Sequence, residues 1–224
     1  MDQKVLQFLS DLNRNNNREW FAENKLVYEK ARNQFITIVE QLLLKLGVNQ
    51  PEYLTLKAND LVFRIYRDVR FSKEKLPYKT HFGAYLALGG RKSPLGGYYL
   101  HVEPGNSFLA GGVFRPESEN LKAIRNEIYF NLSEFESIVE EAGFKSMFGS
   151  INGDKLKRPP VGFPKDFPGI DYLKFKDFTL VHSVKDNQVE SNTFVDDAAI
   201  VFEAMIPFNS FLNRGMANKP DQLV

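Results

Sequence analysis

Between residues 79 and 114 three stretches alternate apolar and polar side chains, and the connections between them are too short to hold a crossover helix. They are KTHFGAYLAL (79–88), YYLHVE (98–103) and SFLAGGVF (107–114), joined by the glycine loop GGRKSPLGG (89–97) and a Pro-Gly-Asn turn at 104–106. A period of two sends successive side chains to opposite faces of a strand. Strands joined by short turns pair antiparallel, because a parallel pair needs a long crossover. This part of the chain is therefore committed to an antiparallel sheet. YLTLKA (53–58) and LVFRIY (61–66), flanking Asn59-Asp60, predict a further hairpin, and DFTLVHSVK (177–185) predicts one more strand.

Helical periodicity surrounds the sheet. Val5, Leu6, Phe8, Leu9 and Leu12 mark a short amphipathic helix that the run Asn13–Asn17 breaks. Asn17 is the expected N-cap of a long second helix whose apolar stripe runs from Trp20 and Phe21 to Leu46, with Gly47 as its stop. Pro116 is placed at a helix N1, and Ser133 with Glu136 reads as a capping box opening a helix that stops at Gly143. Pro159, Pro160, Pro164 and Pro168 mark an irregular stretch. Ser191 or Asn192 then caps a final helix that Pro207 should kink or end. The reading is one α+β domain over residues 1–224, a central antiparallel sheet with N-terminal and C-terminal helices packed on one face.

Charge and cysteine bound the chemistry. Twenty-nine Lys and Arg against 28 Asp and Glu give +1, too balanced for a surface that coats nucleic acid or anionic membrane. With no Cys there is no disulfide, thiolate nucleophile or zinc–thiolate site. The N-terminus lacks the pattern of a secretory signal and no run is long enough to span a bilayer, so a cytoplasmic protein without a membrane partner is expected.

The balance is broken locally. RIYRDVRFSKEKLPYK (64–79) carries Arg64, Arg67, Arg70, Lys73, Lys75 and Lys79 against only Asp68 and Glu74, while 116–142 compensates with seven Glu. The planar fork of arginine binds a carboxylate or phosphate through two parallel hydrogen bonds. Three Arg within seven residues, with Asp68 among them to orient one, can cradle an anion. The same residues also suit an ion-pair network that pins a loop.

The pattern Arg64-x-x-Arg67-Asp68-x-Arg70-Phe71-x-x-Glu74-Lys75-x-x-Tyr78 resembles the signature of a bacterial and fungal family, domain of unknown function 2461. Segments NNREWF (16–21) and YYLHVEPG (98–105) are similar to it as well, so the resemblance covers nearly the whole chain. That family usually carries Asp or Asn where this chain has Glu74. The resemblance implies membership and no activity.

Strand parity sharpens the site. If 61–66 is a strand, Leu61, Phe63 and Ile65 oppose Arg64 and Tyr66. Thr80, Phe82, Ala84, Leu86 and Leu88 likewise oppose Lys79, His81 and Tyr85, and Tyr98, Leu100 and Val102 oppose Tyr99, His101 and Glu103. Were the polar faces to coincide, imidazoles and a carboxylate would share a surface with the basic loop. The leading expectation is a small anionic ligand, bearing phosphate or carboxylate, bound by Arg64, Arg67, Asp68, Arg70, Lys75, Lys79, His81 and Tyr99. His101 and Glu103 are the acid/base candidates and Tyr78 a proton donor. The alternative is a non-enzymatic module that binds nucleic acid or an acidic protein through the same patch. A solvated sheet face and an architectural Arg motif stay open beside both.

Other motifs are absent. There is no P-loop, no nucleophile elbow and no His-Glu-x-x-His zinc motif. A three-His metal site would have to use His81, His101 and His182 together, so no metal site is assigned and no cofactor is named.

Overall fold

The computed structural model describes residues 4–68, 70 and 75–218. Helix α1 (Lys4–Arg14) buries Val5, Leu6, Phe8, Leu9 and Leu12, the stripe its periodicity predicts. Asn17 caps α2 (Arg18–Glu23) by accepting a hydrogen bond from the Trp20 N–H at 2.9 Å. The expected single long helix is interrupted at Asn24, whose side-chain amide donates to the Trp20 carbonyl at 2.9 Å and competes with the helical ladder. Helix α3 then runs Lys25–Asn49, straight through Gly47. Gly47 is not a stop but a point of close approach, since a Cβ there would overlap the Leu54 side chain.

The hairpin expected over 53–66 does not form. Its first half is a 3-10 turn (Pro51–Thr55), and Asn59-Asp60 lies inside the short helix α4 (Ala58–Leu61). Tyr53, Ala58, Leu61, Val62 and Ile65 are all buried, so these residues meet the demand for burial without a ladder. Beyond α4 the chain touches the segment opposite through single antiparallel bridges, Val62 with Ala84 and Tyr66 with Tyr78.

Strands β1 (Phe82–Leu86), β2 (Gly97–Val102), β3 (Ser107–Val113) and β4 (Phe178–Val184) form an antiparallel sheet in that order. With the helices around it the class is α+β. Helix α5 (Ser118–Phe130) takes Glu117 as N-cap, leaving Pro116 outside rather than at N1. The predicted capping box is also displaced: Asn131 caps α6 (Leu132–Val139), and α7 (Ala142–Phe148) runs through Gly143. Short α8 (Ile170–Leu173) and α9 (Asp186–Val189) flank β4. Pro207 ends one helix and opens the next, separating α10 (Phe194–Ala204) from α11 (Ile206–Ala217). Among the described residues, no helix is long and apolar enough to cross a membrane.

The chain divides into two compact units, one of Met1–Arg91, Tyr99–Leu109 and Ser183–Ile200, the other of Lys92–Tyr98, Ala110–His182 and Val201–Val224. In the first, the rings of Phe8, Tyr28 and Phe35 surround Phe82 of β1 with centroids 6.2, 6.2 and 5.4 Å away. In the second, Phe135 packs on Phe208 and Phe211 at 6.2 and 5.1 Å, and Phe202 packs on Tyr98 at 5.1 Å. Buried Asn209 donates to the Gly97 carbonyl at 3.0 Å, and Arg214 holds Glu127 and Glu134 on α5 and α6.

Candidate functional site

The first unit gathers the titratable residues of β2 at one end of that strand. Its alternation places Tyr99, His101 and Glu103 on the face opposite buried Tyr98, Leu100 and Val102. Glu103 opens the turn into β3, where Gly105 takes φ +74° and its N–H donates to both Asp186 carboxylate oxygens at 2.9 and 3.0 Å. Ser107 closes the turn, its hydroxyl donating to the Glu103 carbonyl at 2.9 Å and accepting from the Glu103 N–H at 3.1 Å. The carboxylate therefore projects from an anchored backbone.

A connected polar chain follows. The Thr80 hydroxyl donates to Glu103 Oε1 at 2.6 Å, and the Asn106 amide donates to Oε2 at 3.0 Å. His101 Nε2 lies 3.3 Å from the same Oε2, and His101 Nδ1 lies 3.1 Å from the Tyr99 hydroxyl. The His101 ring is 8% exposed and sits between two others, stacked on Phe108 at 4.5 Å and facing His81 at 4.3 Å. Donor atoms of His81, His101 and Glu103 all fall within 4.8 Å of one another.

Electrostatics set the protonation states. Burial, then neighbouring His101, pushes His81 down to about 4, with Lys79 and Arg67 acting the same way and Glu103 against them. Burial also lowers His101, outweighing its hydrogen bond to Glu103. For Glu103 burial favours the neutral acid, but the bonds from Thr80, Asn106 and His101 outweigh it and keep the carboxyl below its usual range. Burial raises Tyr99 to about 12, with Glu103 adding. At neutral pH the cluster is two neutral imidazoles, one carboxylate and one protonated phenol.

A belt of cations borders this cluster. Lys79 Nζ and the Arg91 guanidinium lie 5.4 and 5.7 Å from the centroid of the Phe63 ring, within cation–π range. Arg91 is fixed by donating to the Val62 carbonyl at 2.7 Å. Burial lowers the pKa of Lys79, and the charges that act on it, Arg64 and Arg91, are both cations. Lys79 is set by its N–H to the Ile65 carbonyl at 2.8 Å and Arg67 by its N–H to the Pro77 carbonyl at 2.9 Å, so the two arms of the 64–79 segment run side by side.

The structure thus brings His81, Tyr99, His101 and Glu103 together, with Arg64, Arg67 and Lys79 close by. It places the remaining candidates elsewhere. Tyr78 is buried against Phe21, ring centroids 3.9 Å apart, with its backbone bonded to Asn16. Tyr66 packs on the same pair of rings. Arg70 closes its fork on Asp68 at 2.9 and 2.6 Å, and Lys75 is exposed. Phe71, Lys73 and Glu74 lie outside the described residues. His182, in the other unit, meets the Met147 carbonyl at 3.1 Å and has no part in the cluster.

Parity misled at two positions. Phe63 was expected opposite the polar face but packs 6.3 Å from Tyr99, because α4 ends only two residues earlier and no strand sets the phase. Thr80 was expected on the apolar face but reaches Glu103, because β1 begins only at Phe82. Thr80, Asn106, Phe108, Arg91 and Phe63 were not candidates. The Asn of the 104–106 turn, one step from Glu103 through a hairpin, was the one legible signal among them.

The Asp68–Arg70 pair makes a direct prediction. The bidentate hydrogen bonds from Arg70 hold the Asp68 carboxyl at about 2. Arg70→Ala should raise it toward the ordinary aspartate range, about 3.9, stopping short because the backbone N–H of residue 70 and the Arg64 charge remain, read from the side-chain carboxyl carbon in an NMR titration. The sign follows from the depressed native value: the pair stabilises above the unfolded pKa and loses that as pH falls toward 2. An unmoved titration would mean Arg70 does not hold Asp68 in solution.

A family model described as a conserved hypothetical protein, DUF2461, matches residues 4–211. No curated protein and no solved structure matches.

Proposed function

Starting from the chain's membership of DUF2461, a family of conserved hypothetical proteins, we propose that its first unit binds a small anion bearing a phosphate or carboxylate. The belt of Lys79, Arg64, Arg67 and Arg91 beside the His81–His101–Glu103 cluster is its binding face. The observation that carries this reading is Lys79. Its ammonium is partly withdrawn from water and shares the Phe63 ring with the Arg91 guanidinium, while the charges acting on it repel it. Like charges held near one another lose part of their mutual repulsion when an anion enters. Guanidiniums present paired donors to such a group, and the ammonium adds a point charge.

The cluster supplies proton handling beside that face. His101 is a neutral imidazole with a carboxylate at one nitrogen and a phenol at the other, an arrangement that orients a general base. Glu103 then stabilises the imidazolium formed when His101 accepts a proton. Tyr78 is not assigned the donor role, because its ring is packed between Phe21 and Tyr66; Tyr99 takes its place in the chain.

The test is a thermal-shift and calorimetric screen in a chelator-containing, low-salt buffer against phosphate, sulfate, nucleotides, sugar phosphates and small dicarboxylates. A ligand at a hundred times its Kd should stabilise the fold by about 2.7 kcal/mol. Lys79→Ala should remove most of that shift, and Arg67→Ala should weaken it. No shift with any anion, or a shift indifferent to Lys79→Ala, would defeat the proposal. Polynucleotide binding that collapses steeply with salt, without any small-anion shift, would replace it with the nucleic-acid reading.

A further inference from the structure

The geometry points to a divalent transition-metal site made of His81, His101 and Glu103, two imidazole nitrogens and one carboxylate oxygen gathered at the start of β1 and the end of β2. Their donor atoms lie within 4.8 Å of one another, and His101 Nε2 and Glu103 Oε2 are already 3.3 Å apart. Donors around a tetrahedral zinc stand ~3.4 Å apart, given metal–nitrogen bonds of ~2.1 Å. That pair is thus at coordination spacing, and a small rotation of the one remaining side chain, His81, brings in the third donor.

The surroundings are those of a ligand set. A ligating histidine normally engages its second ring nitrogen with a fixed partner, and His101 Nδ1 meets the Tyr99 hydroxyl at 3.1 Å while Nε2 points into the cluster. A ligating carboxylate is normally held by hydrogen bonds, and Glu103 accepts from Thr80 and Asn106 at 2.6 and 3.0 Å. Phe108 stacks along His101 and fixes the ring plane.

Donor chemistry selects the ion. Two imidazoles and a carboxylate suit zinc, iron(II) and their neighbours, whereas magnesium and calcium prefer all-oxygen sets. Three protein ligands leave coordination positions open, as in catalytic rather than structural sites. Sequence spacing hides the set because His81, just before β1, and His101, on β2, are twenty residues apart, and a three-His count points to His182 rather than to Glu103.

The site goes beyond the anion reading and stands without it. Lys79 and Arg67 repel a cation as they depress the pKa of His81, so an anion on the belt would favour the metal. Reciprocity then requires the metal to favour the anion by the same factor.

Tag-free protein, stripped by chelator and moved to phosphate-free buffer, is titrated with Zn(II) while the imidazole Cε1–H signals are followed by NMR. The chain has only three His residues, so the wild type carries its own control. Signals of His81 and His101 should move together and saturate at one ion per chain, with His182 unmoved; His182→Gln assigns the third signal. Glu103→Gln should weaken Zn(II) by more than about a hundredfold, and Tyr99→Phe by about tenfold, the range for an outer partner. Lys79→Ala should tighten Zn(II) while removing most of the anion-induced thermal shift in chelator, which separates this site from the anion proposal. No movement of His81 and His101, equal movement of all three, or a Glu103→Gln affinity equal to wild type would overturn the site.

Discussion

Replacing Gly112 by alanine is expected to remove more than about 4 kcal/mol of stability, at the extreme of single substitutions. Two effects combine at this position. Gly112 of β3 holds φ +98°, a conformation that L side chains rarely adopt, and an added Cβ would overlap the Phe178 carbonyl oxygen of β4. The obstacle is backbone in the adjacent strand, so no rotamer change relieves it, and the strand ladder has to part. Gly105→Ala is the control: φ is +74° and nothing lies within 4 Å of its Cβ, leaving only a conformational cost of about 1–2 kcal/mol. Urea unfolding of both variants at constant m-value separates the effects. If Gly112→Ala loses no more than Gly105→Ala, the close approach of β3 and β4 at this point is wrong.

Phe82→Ala comes next, with an expected loss of about 3–5 kcal/mol, the range for emptying an aromatic core position. Phe82 is 1% exposed and meets Phe8 of α1 and both Tyr28 and Phe35 of α3. Three rings from two helices cannot all close the space vacated by a fourth on a strand, since each is tied to its own backbone. Phe130→Ala, at a ring 76% exposed, should change stability by no more than about 0.5 kcal/mol and controls for aromatic loss as such. A Phe82→Ala midpoint indistinguishable from that of Phe130→Ala would contradict the packing described.

Much of this packing was legible. The stripe of α1, the Asn17 cap, three strands between 79 and 114, the strand near 177–185 and the Pro207 break all follow from local rules that operate within one or two turns of chain. The errors share a cause. Residues 53–58 and 61–66 carry strand-like composition, yet 53–55 end a 3-10 turn, 58–61 form a helical turn and 62–66 pair only through single bridges, because burial can be met by any of these. Gly47 and Gly143 look like helix stops by type, but each is spanned by a helix; the space around a glycine depends on neighbours that the local pattern does not name.

The candidate site divides the same way. Tyr99, His101 and Glu103 were readable as one face, because a strand's period of two is a property of the backbone itself. Arg70 was readable as a cation but not as one already engaged by Asp68, and Tyr78 as a phenol but not as one enclosed by Phe21. Charge and residue type belong to the chain; availability belongs to its surroundings.

From its order of residues alone, this chain determined an antiparallel sheet flanked by helices, and a polar strand face bearing two imidazoles' worth of candidates near a basic segment. Tertiary structure decided that His81 meets His101 and Glu103, that Thr80 and Asn106 hold that carboxylate, and that Lys79 and Arg91 share the Phe63 ring. The physical reason is range. Periodicity and capping act between residues a few positions apart, whereas these contacts, apart from that of Asn106 within its own turn, close loops of roughly twenty residues, whose geometry is set by how the intervening chain packs.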